Sequence, residues 1–364
     1  MNRSITLCAG ASVLAAASLL AHAAGESPHV AAATAADQIW ALGVAPPVAD
    51  NPITQHKVEL GKALFFDPRL SGNGTVSCAS CHNPALGWSD GLKTGIGING
   101  TVLGRATPTI VNVAYNSQFM WDGRKKSLED QALGPMKAPE EMKTDLGGAL
   151  QMLAATDGYV EMFGRAFPGQ PISEETLAKA IAAFERTVVS KDSRFDRWLA
   201  GDRSAITTAE WRGFQVFKDP AKGNCAACHS GANFTDNGFH NIGIKAGASG
   251  PDEGRFKIRP LAAMKGAFKT PTLRDIALTA PYFRDGSAAT LMDVVEHYDR
   301  GGDDHSNLSK DVRPLRLSQG EKGDLVAFMN SLTGRALEIA IPVLPQSPIT
   351  AQKSAPLRTA QTGK

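Results

Sequence analysis

Two stretches of this sequence combine residue types and spacing that could do chemistry: Cys78-Ala79-Ser80-Cys81-His82 and Cys225-Ala226-Ala227-Cys228-His229. A Cys-x-x-Cys-His run is the attachment site of a c-type haem, in which both thiols add to the porphyrin vinyls and the histidine becomes an axial ligand of iron. Two intervening residues let the sulfurs reach both vinyls from one turn of chain, and the adjacent imidazole then lies under the metal. The spacing predicts covalent attachment through Cys78, Cys81, Cys225 and Cys228, with His82 and His229 as iron ligands. Zinc is the rival for a Cys-x-x-Cys pair, but a tetrahedral zinc site does not require histidine directly after the second cysteine. Two copies with that histidine favour two haems c.

These groups need scaffolds. A chain of 364 residues has room for two domains with separate cores. The formal net charge of +2 calls for neither nucleic acid nor an anionic membrane surface, so partners are expected among small molecules and proteins. The first residues read as an export signal over 1–23: Arg3, an apolar run over 5–20, then Ala21-His22-Ala23 as a small-x-small cleavage site. That run is short and rich in Ala and Ser for a membrane span. Of five cysteines, Cys8 falls in the signal and the other four are in the haem motifs. Export is consistent with haem attachment outside the cytoplasmic membrane and with an oxidising compartment, and it predicts a periplasmic protein with no membrane span in its mature form.

Along the chain, residues 24–53 read as a linker and N-terminal lead, with a short helix starting near Asp37. From Thr54 the pattern Val58, Leu60, Leu64, Phe65 is helical, and Asp67-Pro68 ends it. The same order of helix, Asp-Pro stop and haem motif recurs at Trp211, Phe214, Val216, Phe217 and Asp219-Pro220. Leu60-Gly61-Lys62-Ala63-Leu64-Phe65 parallels Arg212-Gly213-Phe214-Gln215-Val216-Phe217. This internal repeat predicts two cytochrome c-like domains, at 54–200 and 201–345. A glycine-rich loop spans 87–104. Helices are expected at 127–134, 146–155, 173–189 with an N-terminal cap at Ser173, 291–298 and 318–332. Strand-like alternation is scarce, so the expected class is all-α, and the tail at 346–364 has a disordered composition.

Taken together, these residues resemble the bacterial dihaem cytochrome c peroxidase and MauG family, from about Leu60 to about Leu332. The marks are the block from Leu60 through Asp67-Pro68-Arg69-Leu70-Ser71, both haem motifs, Trp121-Asp122-Gly123-Arg124, Gln131, Glu141-Met142, and Leu278-Thr279-Ala280-Pro281-Tyr282-Phe283. The resemblance implies that the N-terminal haem reacts with peroxide to form a ferryl, that the C-terminal haem stores or relays electrons, and that Trp121 carries charge between them. It assigns Gln131 and Glu141 to the distal side of the peroxide site. A positioned glutamate is what O–O cleavage needs, because a proton must move from one peroxide oxygen to the other. Pro135 matches a proline that crowds this pocket.

Departures from the family pattern carry information. Gated peroxidases place a capping histidine in the glycine-rich loop, where this chain has Ile98, so the first haem is expected to react without prior reduction. The far ligand of the second haem, methionine in ordinary peroxidases, falls on Tyr298, as in MauG; His297 and Met292 are the local rivals. A phenolate favours ferric and higher iron and lowers the reduction potential. The family's interdomain Ca²⁺ would find carbonyls at Thr279 and Pro281 but Ala106 in place of an asparagine, so calcium is expected to bind more weakly. Arg284 stands where histidine is common.

The expected function is therefore periplasmic reduction of hydrogen peroxide with electrons from a small cytochrome c or copper protein. The alternative is a MauG-like enzyme that uses peroxide to oxidise residues of a protein substrate. A dihaem electron carrier without catalysis would need both irons capped and no acid–base group, and a sensor would need an output domain. Dimerisation is common in the peroxidase group, and no residue pattern here determines the oligomeric state.

Overall fold

A computed structural model describes residues 30–247 and 250–346. The expected signal at 1–23 and nearly all of the expected tail lie outside these residues. Helix α1 (Gln55–Phe66) starts where the Thr54 hydroxyl accepts the Lys57 N–H and stops at Asp67-Pro68, as the pattern predicts. It is followed by α2 (Cys78–Cys81), α3 (Leu128–Lys137), α4 (Leu146–Ala154), α5 (Asp157–Ala166) and α6 (Glu174–Glu185). The second half holds α7 (Arg194–Leu199), α8 (Thr208–Lys218), α9 (Leu291–Asp299) and α10 (Gln319–Ser331). Capping boxes begin α6 at Ser173, α8 at Thr207 and α10 at Ser318. Two two-residue strands, β1 (Phe239–His240) and β2 (Phe268–Lys269), form an antiparallel pair. The protein is thus all-α in class.

The internal repeat appears as one helix crossing built twice. A Cβ on Gly61 of α1 would lie 1.9 Å from the Ala180 carbonyl oxygen of α6 and 2.9 Å from Phe184 Cβ. A Cβ on Gly213 of α8 would lie 1.9 Å from the Asp324 carbonyl oxygen of α10 and 2.8 Å from Phe328 Cβ. Only glycine permits such close backbone approach. Around the first crossing lies a core of Leu60, Leu64, Phe65, Tyr159, Phe163 and Phe184. Around the second lies an aromatic core of Phe195, Trp198, Phe214, Phe217, Phe234 and Phe328.

Three expectations about boundaries are corrected. The lead read as a linker is docked: residues Ala35–Trp40 form a 3-10 turn capped by Thr34, and Trp40 is buried against Phe214, Phe217 and Phe234 of the second core. The Trp198 indole N–H donates to the Ala31 carbonyl at 2.9 Å. The first domain does not run to residue 200, because α7 puts Phe195, Trp198 and Leu199 into the second core. Nor does the second keep all residues to 345, since Leu337, Ile339 and Leu344 pack on the first core. Each end of the described chain crosses to the other half because large apolar side chains there gain more from burial than from exposure. Helix α6 also ends at Glu185, short of the expected 189, and α5 and α7 were not expected, α5 because Gly158 and Gly164 blur its pattern.

Gly61→Ala and Gly213→Ala each force two helices apart, and each should lower stability by about 1–3 kcal/mol. Denaturant unfolding of the holoprotein measures this; a loss near zero would show that the crossings are looser than described.

Candidate active site

Each motif histidine is oriented by a backbone carbonyl. His82 Nδ1 lies 3.2 Å from the Trp88 carbonyl and His229 Nδ1 lies 3.0 Å from the Phe234 carbonyl. A carbonyl can only accept, so Nδ1 carries the proton and Nε2 is left with a lone pair for a metal. Burial pushes both imidazoles toward the neutral form, His229 down to about 4. Trp88 and Phe234 are buried aromatics in the left-handed region, at φ 61° and 51°. Trp88 packs on Phe65 and Phe184, and Phe234 on Phe217 and Phe328, the residues of the two helix crossings. Sequence reading missed both residues; their only signal is an aromatic five or six positions after each histidine.

A continuous cavity of about 810 Å³ is lined by both motifs. Cys78, Cys81, Cys225 and Cys228 are unpaired, and Cys78, Cys81, Cys225, Cys228, His82 and His229 all face it. Burial raises the thiols of Cys78, Cys81 and Cys225, that of Cys81 to about 11 and that of Cys225 to about 12, which favours their protonated form. Unpaired thiols beside neutral imidazoles with a free Nε2, on one largely apolar cavity, fit two covalently attached haems. Cys228, Asp236 and His240 also lie close enough to share a small cation, but the first motif has no such companions among the described residues, which disfavours zinc as the common reading.

The cavity also brings together the residues expected around the first iron. Gln131 on α3 and Glu141 in the turn after it line the same wall, with Pro135 beside them. Pro135 sits inside α3 and has no N–H to donate to the Gln131 carbonyl. The turn carrying Glu141 is braced by backbone contacts. Ile98 N–H donates to the Glu141 carbonyl at 2.7 Å, Met142 N–H to the Pro135 carbonyl at 3.2 Å and Gly72 N–H to the Met142 carbonyl at 2.9 Å. A Cβ on Gly97 would lie 1.9 Å from the Glu140 carbonyl oxygen, so the loop rests directly on this turn. Ile98 itself is buried and is not part of the cavity lining. Burial raises the Glu141 pKa above its usual 4.5, partly opposed by Arg124 and reinforced by Glu140. Another carboxyl on the wall, Glu185, is buried, with Oε2 lacking a hydrogen-bond partner among the described residues, and is pushed up to about 8. Its neighbour Arg186 is engaged by Glu129.

Trp121 is tied to both halves. Its indole N–H donates to the Ala106 carbonyl at 2.8 Å, and its own carbonyl accepts from Lys269 N–H of β2 at 2.8 Å. Arg105 bridges Asp122 and Asp252, and Arg255 donates to the Asp122 and Gly123 carbonyls. Tyr298 on α9 lines the cavity near the second motif, and burial raises its phenol well above 10. His297 is turned away, with Nε2 2.8 Å from the Ile242 carbonyl and Nδ1 3.3 Å from Asp303. Met292 does not line the cavity. Thr279, Pro281 and Ala106 share the wall, with the Arg284 guanidinium nearby, 4.3 Å over the Phe268 ring.

This geometry defines a class: two helical haem domains opening on one shared cavity. Residues 55–204 match the profile of the di-haem cytochrome c peroxidase family. The methylamine utilization protein MauG of Methylorubrum extorquens is 47% identical over 298 residues, 81% of this chain and 83% of its own length. The cytochrome c551 peroxidase of Nitrosomonas europaea is 36% identical, covering 86% of this chain and 90% of its own. Among solved structures, a MauG-like protein associated with microbial copper homeostasis superposes with a TM-score of 0.75 at 34% identity, over 81% of this chain and 95% of that one. The chain belongs to the di-haem cytochrome c peroxidase and MauG family; it is a peroxide-dependent oxidoreductase, and its family implies two haems c. No helix among the described residues is long and apolar enough to cross a membrane.

Replacing both thiols of one motif should remove one haem and leave the other. The Cys225→Ser/Cys228→Ser protein is expected to show half the covalent haem by pyridine haemochrome assay and a mass lower by one haem; retention of both would refute the attachment.

Proposed function

We propose that the enzyme reduces hydrogen peroxide beside the first motif, where His82 would hold one haem, with electrons from a small cytochrome or copper protein that enter at the second motif, where His229 and Tyr298 would hold the other. The observation that carries this reading is a braced, half-buried carboxyl, Glu141, beside Gln131 on the wall above the first motif. When bound, the haem supplies the redox-active iron at which the O–O bond is cleaved. Glu141 takes the proton from the peroxide oxygen nearer the metal and returns it to the farther oxygen, which leaves as water. Gln131, whose amide has only a 3.9 Å contact with Met120 Sδ, is free to hold the peroxide by hydrogen bonding. Two electrons and two protons convert one peroxide into two waters. Trp121, tethered to both halves, carries charge between them. Calcium has carbonyls at Thr279 and Pro281 but no side-chain oxygen at Ala106, so water would complete its shell. We place the protein in the periplasm, on the apolar leader and the chemistry of haem attachment.

A second reading, oxidation of residues in a protein substrate as in MauG, is favoured by two features: a phenol at 298 in place of a thioether, and Ile98 in place of a capping histidine. Mixing the all-ferric protein with about one equivalent of hydrogen peroxide, without reductant, tests the open first site. A prompt change at both haems is expected; no reaction until one haem is reduced would mean that another residue caps that iron.

Glu141→Gln should slow the peroxide reaction by about 10²–10⁴-fold. In the wild type the rate should rise with pH through a pKa above 4.5, because the carboxylate is the proton acceptor and burial raises its pKa; the rise should vanish in the variant. Trp121→Phe should leave peroxide consumption at the first haem intact while abolishing the prompt response of the second. Unchanged two-haem kinetics in that variant would remove Trp121 from the path.

A further inference from the structure

The haem cavity is not the only hollow that Glu141 borders. On the outer side of α3 lies a separate cleft of about 390 Å³, whose walls include Lys125, Asp130, Gly134 and Lys137. Arg124 and Glu141 line both this cleft and the haem cavity, and no other described residue does. Glu141 and Arg124 therefore stand between this cleft and the haem cavity. Gly134 sits in the middle of α3, where glycine costs helix stability relative to alanine. A Cβ built there would meet only Lys125 Cε, at 3.4 Å, so a larger side chain would extend into the cleft.

Each cation of this wall is paired with an acid. Lys125 Nζ is 2.6 Å from Asp130, Lys137 Nζ is 2.7 Å from Glu174, and an Arg124 guanidinium nitrogen is 2.7 Å from Asp122. With its cations neutralised and the Glu141 carboxyl on its wall, the cleft has little to concentrate an anion, and a small neutral solute loses little hydration on entry. We propose that this cleft is the entrance to the first haem site, that it admits small neutral peroxides, and that Gly134 sets its width. The proposal rests on the reading of Glu141 as a residue of the peroxide pocket, and it adds the route and the size limit.

The test uses ferric holoprotein and two probes, cyanide and hydrogen peroxide, in stopped flow. Gly134→Trp is expected to slow cyanide association and the peroxide reaction together by about tenfold, to leave the cyanide-bound spectrum and equilibrium affinity unchanged, and to discriminate further against cumene hydroperoxide. Gly134→Ala should remain near the wild-type rate, and that rate with peroxide should be insensitive to salt. Lys137→Trp narrows the same mouth from the rim and serves if the glycine variant misfolds. Wild-type association rates in both tryptophan variants overturn the proposal. So does slowing by Ile258→Trp alone, since Ile258 lines the main cavity and not the cleft. Slowed cyanide entry in Gly134→Trp, combined with normal peroxide chemistry in Glu141→Gln, would keep the entrance and dismiss the catalytic role of Glu141.

Discussion

The Nδ1 hydrogen bond from each motif histidine to a buried aromatic residue's carbonyl is the constraint on which the structure depends. An imidazole that offers Nε2 to a metal must keep its other proton engaged, or the ring is free to rotate. Here the acceptors belong to Trp88 and Phe234, both with positive φ, a conformation that costs a bulky residue about 1–3 kcal/mol. That cost is met by packing. Trp88 is held among Phe65 and Phe184, and Phe234 among Trp40, Phe217 and Phe328. These phenylalanines stand where two helices touch at a glycine, so the crossings at Gly61 and Gly213 set the orientation of the two motif histidines. The same device at both motifs gives the repeat its physical meaning.

Joining the halves makes one shared cavity rather than two separate sites. The cavity is continuous from one motif to the other, and Trp121 stands at the junction with its indole bonded to one half and its carbonyl to the other. The Arg105 bridge between Asp122 and Asp252, and the Arg255 contacts to the same turn, hold that tryptophan from both sides. The exchanged ends, Trp40 on the second core and Leu344 on the first, add apolar burial across the junction. Motion of one half against the other would break all of these contacts together.

The loop before Trp121 shows how one scaffold position changes purpose. Ile98 has no ligand atom to offer, and its side chain is buried away from the cavity. Its backbone instead holds the Glu141 turn, against which Gly97 packs with no room for a Cβ. The segment thereby braces the turn that carries Glu141.

Local chemistry was legible in the sequence by itself: the haem motifs, their histidines, the helices and their Asp-Pro stops, the repeat, and Trp121, Gln131 and Glu141 as residues of interest. The motifs, helices and repeat follow from covalent spacing and from periodicity over one or two turns, which act within a few residues of chain, whereas Trp121, Gln131 and Glu141 stood out through family resemblance. Tertiary structure decided the rest. It docked the lead that reads as a linker, moved α7 into the second core, put Tyr298 on the cavity wall while engaging both nitrogens of the adjacent His297, and supplied Trp88 and Phe234 as partners of the motif histidines. Each of these outcomes depends on which distant apolar surfaces bury one another and which carbonyl comes within reach of which ring, and neither is encoded in the spacing of neighbouring residues.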